Sequence, residues 1–319
     1  MTKKILVTGG SGYKGVKLIK SLLKHGYKVI NIDKNIFGNY FINHKNVKNY
    51  KMDIKDIGKI DIKNVHTCVH LASIANDPMT DLNPTLSWET SSLGSYLLME
   101  HLIKNKVKKI IYASSGSVYG IKKEKRVTED LSLKPISTYN KVKMVTERIL
   151  LSYKEKIDVI IIRPATVCGF SPRMRLDISV NILTFQALKN KKITVFGGNQ
   201  TRPNINIKDM VRVYQHFLSN RNISSGCYNA GFENISILDI AKAVVSKVPA
   251  EIIVTESNDP RSYRQSSEKL IQTGFEQHYG INEAIDEIVA KFNSGEITDS
   301  SQNYTVEWMK KLNLHLAGA

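Results

Sequence analysis

The sequence predicts an α/β protein with a doubly wound parallel sheet and a smaller, mixed C-terminal domain. Short apolar runs alternate with amphipathic stretches through the first half of the 319 residues. Several runs are almost entirely apolar, which is typical of strands buried on both faces of a parallel sheet. After residue 164 the alternation becomes irregular and the connections become longer and more polar, which indicates a second unit of different construction.

The spacing of apolar residues defines each element. In the first amphipathic stretch, Val16, Ile19 and Leu22 fall on one helix face that can pack on the sheet. The predicted strands are residues 5–8, 29–33, 48–52, 67–72, 109–114 and 159–162. The predicted helices are residues 16–24, 93–104, 141–153, 178–189, 208–219, 237–245, 282–292 and 305–312. We therefore expect one domain over residues 1–165 and a second over 166–319, with segments that cross between them.

Composition narrows the class of protein. With 42% hydrophobic and 24% charged residues, the chain is typical of globular proteins. No apolar run is long enough to span a bilayer, and residues 5–7 are too short for the core of a signal peptide. Cys68, Cys168 and Cys227 form neither a zinc pattern nor a disulfide framework. We therefore expect no metal site and a cytoplasmic protein with free thiols.

The formal net charge of +17 is compatible with three partners: nucleic acid, a membrane surface or a small anionic substrate. The lysines are scattered along the chain, and the densest run, residues 122–126, follows a glycine and resembles a solvated loop. No nucleic-acid-binding motif accompanies the charge. We therefore expect no nucleic acid or membrane partner and favour a small anion.

A glycine-rich turn joins the first strand to the first helix. Gly9, Gly12 and Gly15 are spaced three apart, and Gly10 completes a GxGxxG pattern with the last two. Glycines let the backbone approach a pyrophosphate, which the helix N-terminus attracts. Asp33 ends the next strand, where its carboxylate can accept hydrogen bonds from an adenosine ribose and repel a 2′-phosphate. The sequence thus predicts a Rossmann fold that binds NAD rather than NADP.

A second pattern combines serines, a tyrosine and a lysine. Tyr139 and Lys143 lie one helical turn apart, downstream of the serines that follow the fifth predicted strand. A lysine ammonium beside a phenol favours the phenolate, so we expect a lowered pKa at Tyr139 and a role as general base. Two other Tyr-x-x-x-Lys matches begin at Tyr13 and Tyr119, but the first lies in the glycine turn and the second runs into a charged loop.

The motifs occur in the order TGGSGYKG (8–15), HLA (70–72), VYG after a serine cluster (118–120), YNKVK (139–143) and RPATV (163–167). Together they resemble the extended short-chain dehydrogenase/reductase superfamily, in its nucleotide-sugar epimerase/dehydratase branch. The resemblance covers nearly the whole chain. It implies a Rossmann domain with bound NAD and a C-terminal domain that grips a nucleotide-diphosphate sugar.

The resemblance also implies roles for individual residues. Ser115 and Tyr139 would bond the hydroxyl that is oxidised, and Lys143 would bond the cofactor ribose. Ser115 is chosen by counting back from VYG, with Ser114 and Ser117 as alternatives. The implied cofactor contacts are Gly9, Gly12, Tyr13, Gly15, Asp33, Asp53, Ile54, Leu71, Ala72, Ser73, Tyr139 and Lys143.

The chain departs from the family pattern at two places. Lys14 replaces the isoleucine of the common GYIG sequence, and we expect its side chain to point to solvent. Ser91 or Ser92 replaces a helical asparagine that precedes an LG turn, so one family contact near the active site is changed.

Residues 169–181 and 196–209 fall where this family binds the nucleotide diphosphate. Arginine suits that group because its planar fork can bond two oxygens at once. The substrate-binding candidates are Ser115, Arg173, Arg175, Asn181, Val195, Arg202 and Arg261, of which the resemblance favours Arg202 and Arg261.

The resemblance implies oxidation at C4 of the sugar as the first step. Dehydratases and decarboxylases of the family carry an acid just after the catalytic hydroxyl, where this chain has Gly116 and Ser117. Reductases of the family more often use NADP, which Asp33 disfavours. We therefore expect C4 epimerisation. The alternative is a net 4-dehydrogenase of GDP-sugar or GDP-heptose type, and a 4,6-dehydratase or a non-catalytic NAD-binding regulator is less favoured.

The expected ligand is a UDP- or GDP-linked sugar, and the expected assembly is a homodimer. The resemblance suggests that the predicted helices at residues 93–104 and 141–153 pair across a two-fold axis as a four-helix bundle. Their outward apolar residues would be Tyr96, Leu97, Met144 and Val145.

Overall fold

The computed structural model describes residues 3–41, 43–220, 222–256 and 262–314. Its strands are β1 (Lys4–Thr8), β2 (Lys28–Asp33), β3 (Val47–Lys51), β4 (Val65–His70), β5 (Lys109–Ala113), β6 (Asp158–Pro164), β7 (Thr166–Cys168), β8 (Lys192–Phe196), β9 (Thr201–Asn206), β10 (Gly226–Ala230), β11 (Glu233–Ser236) and β12 (Glu251–Thr255). Its α-helices are α1 (Tyr13–Lys24), α2 (Asp77–Leu82), α3 (Pro84–Ser87), α4 (Gly94–Lys104), α5 (Thr138–Leu151), α6 (Ser179–Asn190), α7 (Ile207–Ser219), α8 (Ile237–Val245), α9 (Glu268–Ile271), α10 (Ile281–Asn293) and α11 (Thr305–Lys311).

Within those residues, seven parallel strands form the central sheet, in the order β10-β6-β5-β4-β1-β2-β3. Apolar side chains fill both faces of the sheet. One face is covered by α1 and α7, and the other by α4, α5 and a 3₁₀ turn at Ile54–Lys59. This is the doubly wound architecture that the alternation predicts, so the predicted fold class is confirmed.

The second part of the chain is smaller and mixed. Strands β7, β9 and β11 form one sheet, and β8 and β12 pair in parallel beneath α6 and α8. Segments beyond residue 165 also pack with the first half: β10 extends the central sheet beside β6, α7 lies against α1, and α11 lies against α2. The division at residue 165 remains a prediction.

Two surface features bear on partners. None of the helices in the described ranges has the length and apolar character needed to cross a bilayer. The basic run at 122–126 is less solvated than expected, because Lys122 is buried and its ammonium donates to Ser132 Oγ at 3.4 Å. The hydrophilic sequence alone did not reveal this packing.

Candidate active site

A cleft of about 760 Å³ lies at the carboxyl ends of the central strands, bordered by the second part of the chain. Ligands bind at this edge of doubly wound sheets because the strand order reverses there. The predicted site residues that line the cleft are Gly9, Gly12, Tyr13, Gly15, Asp33, Ile54, Leu71, Ala72, Ser73, Ser115, Tyr139, Arg173, Arg175 and Arg202. The structure therefore brings most of the predicted cofactor and substrate residues to one place.

The glycine turn is tightly packed on one side and open on the other. Gly9 has a φ of +73°, and a methyl group there would lie 2.6 Å from the Ala72 nitrogen. A methyl group on Gly15 would collide with the Gly9 carbonyl. At Gly12, in contrast, the Gly9 carbonyl oxygen at 3.2 Å is the one atom within 4 Å, and no side chain caps the helix that starts there. The turn thus leaves an uncapped helix N-terminus at the cleft, as a pyrophosphate requires.

Asp33 lies at the carboxyl end of β2, next to this turn. Its carboxylate accepts hydrogen bonds from the backbone of Ser11 at 2.9 Å and of Asn35 at 2.7 Å. Burial raises the pKa of Asp33, and these hydrogen bonds oppose the rise. The carboxylate is therefore held in a fixed orientation at the edge of the cleft, where a ribose can donate to it.

Lys14 corrects one expectation about the glycine turn. Its side chain lines the cleft instead of pointing to solvent. Burial, followed by the charge of Arg175, lowers the pKa of Lys14 to about 8. The departure from the family pattern thus adds a partly desolvated cation to the cleft, which an anionic ligand would stabilise.

Ser115 and Tyr139 lie next to each other in the structure, as the family resemblance implies. Ser115 follows β5, Tyr139 is in the first turn of α5, and a hydrogen bond between them lowers the pKa of Tyr139. The hydroxyls of the two alternative serines donate to other side chains: Ser114 donates to Glu147 at 2.5 Å, and Ser117 donates to Asn140 at 2.6 Å while also lying 2.7 Å from the Ser115 hydroxyl. These contacts favour Ser115 as the serine of the site.

Lys143 lies behind the tyrosine. Its ammonium is 5.9 Å from the centre of the Tyr139 ring and donates to the Ala113 carbonyl at 2.9 Å. Burial, followed by the charge of Lys14, lowers the pKa of Lys143 to about 7. Burial also raises the pKa of Tyr139 to about 12, so the expected lowering is wrong for the free protein. Desolvation is the largest cause of both shifts, because burial disfavours the charged form of each group.

This desolvation predicts a pH dependence of stability. Lys143 has a lower pKa in the folded than in the unfolded chain, so the unfolded state binds more protons between about pH 7 and 10. The free energy of unfolding should therefore rise with pH across that window, with Lys14 contributing in the same direction. Urea titrations of the ligand-free protein at several pH values measure the rise. A Lys143→Met variant should show a smaller one, and an unchanged slope would contradict the desolvation of Lys143.

Some of the predicted substrate residues line the cleft, others lie away from it, and one lies outside the described residues. Arg175 lines the cleft and pairs with Asp177 at 2.8 Å, and Arg202 lines it from β9. Asn181 and Val195 do not line it. Asn181 donates to Tyr13 Oη at 3.1 Å and accepts from the Gly169 nitrogen, so it ties the glycine turn to residues 169–175.

Val195 is in the core, because alternation along β8 turns Thr194 and Phe196 to the cleft instead. Among the cofactor residues, Asp53 also lies off the cleft, where it caps the turn Ile54–Lys59 and pairs with Lys34 at 3.2 Å. Arg261, favoured from the sequence, lies outside the described residues.

Asp77 is a cleft residue that the sequence reasoning missed. It begins α2 and lines the cleft, and its charge raises the pKa of Tyr139. The preceding Asn76 has a φ of +82° and caps α2 through a hydrogen bond to the Met79 nitrogen. That turn directs Asp77 inward, and the only sequence signal was an Asn-Asp-Pro helix start.

The altered family contact is a serine pair. Residues Trp88–Leu93 form a π-helical turn, and within it Ser91 shares a 3.0 Å hydrogen bond with Ser73, a predicted cofactor residue that lines the cleft.

Among the described residues, no group of three or more His, Cys, Asp or Glu side chains is arranged to hold a metal ion.

Comparison with known proteins places this site in a family. The family model described as the NAD dependent epimerase/dehydratase family matches residues 5–231. The chain belongs to this family. The predicted family and the predicted cofactor, NAD, are thereby confirmed, and the uncapped turn and Asp33 fit that cofactor. The protein is thus an NAD-dependent enzyme of the epimerase/dehydratase family.

Individual family members show how wide the range of reactions is. The chain is 28% identical to a UDP-glucose 4-epimerase of Lactobacillus helveticus over 83% of this chain and 89% of that one. It is 27% identical to UDP-glucuronic acid decarboxylase 1 of Danio rerio over 94% of this chain and 75% of that one. The crystal structure of a UDP-glucose 4-epimerase from Thermotoga maritima with UDP-glucose superposes with a TM-score of 0.83, at 25% identity over 92% and 99% of the two chains.

Proposed function

We propose that this family member is a C4 epimerase of a UDP-linked sugar. The main support is the set of side chains around Tyr139. The Tyr139 hydroxyl bonds Ser115, Lys143 lies behind the ring, and the two positions that follow Ser115 carry no acid. The similarity to UDP-glucose 4-epimerases supports the choice of reaction and nucleotide.

The side chains divide the proton chemistry among them. Ser115 bonds the sugar hydroxyl and orients it toward Tyr139, which removes the hydroxyl proton as general base. The glycine turn and Asp33 would hold NAD, which would supply hydride acceptor and donor chemistry at the same carbon when bound. Lys143, when protonated, lowers the cost of forming the phenolate at Tyr139. Arg202 and Lys14 would face the diphosphate charge, which is consistent with their place in the cleft.

The residues around positions 116 and 117 leave little room for an acidic side chain. A side chain at position 116 would meet Gln265, whose amide donates to the Arg163 carbonyl at 2.7 Å. Ser117 is occupied with Asn140. A family dehydratase would need a carboxyl group at these positions to eliminate water from C5 and C6.

Asp77 supports one competing function. Because it places a carboxylate in the cleft near Tyr139, it could act as the acid of a 4,6-dehydratase from a different element. A net 4-dehydrogenase acting on a GDP-linked sugar is the other alternative, because it shares the oxidation at C4 and differs in releasing the ketone.

One NMR experiment separates these reactions. The enzyme with NAD is incubated in D₂O with UDP-glucose, UDP-glucuronic acid and GDP-mannose in parallel, and products are followed by proton spectra. An epimerase gives the C4 epimer with no deuterium on carbon. A dehydratase gives a 4-keto-6-deoxy sugar with deuterium at C5, and a dehydrogenase gives a ketone with accumulating NADH. Either of the last two results would replace the proposal.

The assembly is proposed as a homodimer through α4 and α5. Tyr96 on α4 and Leu93 just before it are exposed over 43% and 46% of their surface, and Met144 on α5 is partly exposed. An apolar stripe of this kind suits an isologous interface. Light scattering at micromolar concentration would reveal a monomer if the proposal is wrong. The cytoplasmic location remains a prediction.

A further inference from the structure

Arg173 stands out in the cleft because its side chain is almost completely buried. Arg173 is only 3% exposed and lines the cleft. Its guanidinium donates to the Met174 carbonyl at 2.7 Å and to Thr305 Oγ1 at 3.4 Å. None of the ion pairs among the described residues includes it. Because a guanidinium carries five N–H donors, these contacts leave donors for a ligand.

The two arginines of residues 173–175 have different neighbours in the cleft. The charge of Arg175 lowers the pKa of Tyr139 and of Lys14, so it lies toward the catalytic residues. The charge of Arg173 instead lowers the pKa of Asp33 and of Tyr40. Arg173 therefore faces the end of the cleft where the ribose-binding carboxylate lies.

An aromatic ring fixes the orientation of Arg173. Its guanidinium carbon is 3.9 Å from the centre of the Phe37 ring, which lies in the loop directly after Asp33. Stacking on an aromatic face holds the planar guanidinium while leaving its edge able to bond an anion. Burial, followed by the charge of Arg175, lowers the pKa of Arg173 to about 9, and the charge of Asp177 opposes this only in part.

The C-terminal segment closes this end of the cleft. Its residues 301–311 contact the Phe37 loop through two hydrogen bonds: Gln302 donates to the Phe37 carbonyl at 2.8 Å, and the Trp308 indole donates to the Ile36 carbonyl at 2.7 Å. Thr305 in the same segment meets both Arg173 and Asp177. The segment thus holds the loop and Arg173 together as one wall.

We propose that Arg173 binds a phosphate group of NAD at the adenosine end of the cleft, and that the C-terminal segment positions it there through Thr305. The sequence alone placed Arg173 with the nucleotide sugar. NAD and the nucleotide sugar both contain a diphosphate, so the experiment must distinguish which of the two ligands Arg173 binds. The proposal does not rest on which reaction the enzyme catalyses.

The test compares two ligands on the same variants. Arg173→Met and Arg173→Gln are titrated with NADH and, separately, with UDP by calorimetry. Loss of a charge-assisted contact should weaken NADH binding about ten- to hundredfold and leave UDP binding within about twofold. Arg173→Gln keeps donors for the Met174 carbonyl and Thr305, so it separates the charge from the local packing. Thr305→Val should weaken NADH binding less, because the charge is retained.

A stability measurement excludes a purely structural role. Removing a desolvated cation whose charge is only partly compensated should not lower the thermal midpoint of the ligand-free protein. A fall in UDP affinity with NADH affinity unchanged would return Arg173 to the sugar-nucleotide site and overturn the proposal. Equal loss of both affinities, or no loss of either, would overturn it as well.

Discussion

Tyr139→Phe should lower turnover about 10²–10⁴-fold and leave NADH binding nearly unchanged, because the proposed mechanism uses the phenol to remove the hydroxyl proton. Its ring lies beside the Lys143 ammonium, and its hydroxyl bonds Ser115 in the cleft. The substitution removes a single oxygen and keeps the ring, so the packing of α5 should persist. Steady-state rates with the substrate found by NMR, together with NADH titrations, measure the two effects.

Tyr119→Phe is the matched control. Tyr119 also begins a Tyr-x-x-x-Lys match, but its hydroxyl donates to Asn229 at 2.7 Å and accepts from Arg163 at 2.8 Å, away from the cleft. Removing that hydroxyl leaves buried partners unsatisfied and should cost about 1–3 kcal/mol of stability, with turnover within a few-fold of the wild type. Near-normal turnover in Tyr139→Phe, or a collapse of turnover in Tyr119→Phe alone, would contradict the assignment of the general base.

The same comparison shows what the sequence could and could not predict about the site. The three Tyr-x-x-x-Lys matches cannot be distinguished by the motif itself. Tyr139 was chosen because it lies at a helix start that follows a serine cluster. The hydroxyl of Tyr13 is used by the Gly169 carbonyl at 2.5 Å, and that of Tyr119 by Asn229, which leaves Tyr139 for the cleft. Its raised pKa could not be predicted from spacing, because burial depends on every element that closes the site.

Side-chain direction in irregular segments was the other limit. Strands such as β5 and β6 could be located because burial on both faces makes them largely apolar. In contrast, β10 has the mixed sequence GCYNA and is recognisable only once it pairs with β6. Arg173 and Arg175 are two residues apart in a turn, where no period determines which way each points. Val195 was placed with the substrate, but it belongs to a strand in which its two neighbours face the cleft. Motif identity was therefore predictable, and orientation outside regular elements was not.

Two substitutions in the glycine turn should have large and different effects: one should weaken cofactor binding and the other should destabilise the fold. Gly12→Ala should cost the ligand-free protein little stability, since Gly12 has a φ of −79° that alanine adopts readily, and the added methyl group would meet a single atom, the Gly9 carbonyl oxygen at 3.2 Å. The added methyl group would occupy the space through which a pyrophosphate reaches the uncapped N-terminus of α1. Several charge-assisted hydrogen bonds would be lost together, so NADH binding should weaken by at least about a hundredfold.

Gly9→Ala should give the opposite result, because Gly9 combines a φ of +73° with an approach to the Ala72 nitrogen that leaves no space for a methyl group. Backbone strain of this kind costs about 1–3 kcal/mol before the clash is counted, so the midpoint of urea unfolding should fall clearly. Fluorescence titration with NADH and urea unfolding of both variants give the comparison directly. If Gly12→Ala bound NADH normally, the pyrophosphate could not lie against that residue. If Gly9→Ala were as stable as the wild type, the close contact between the turn and β4 would not be what requires glycine there.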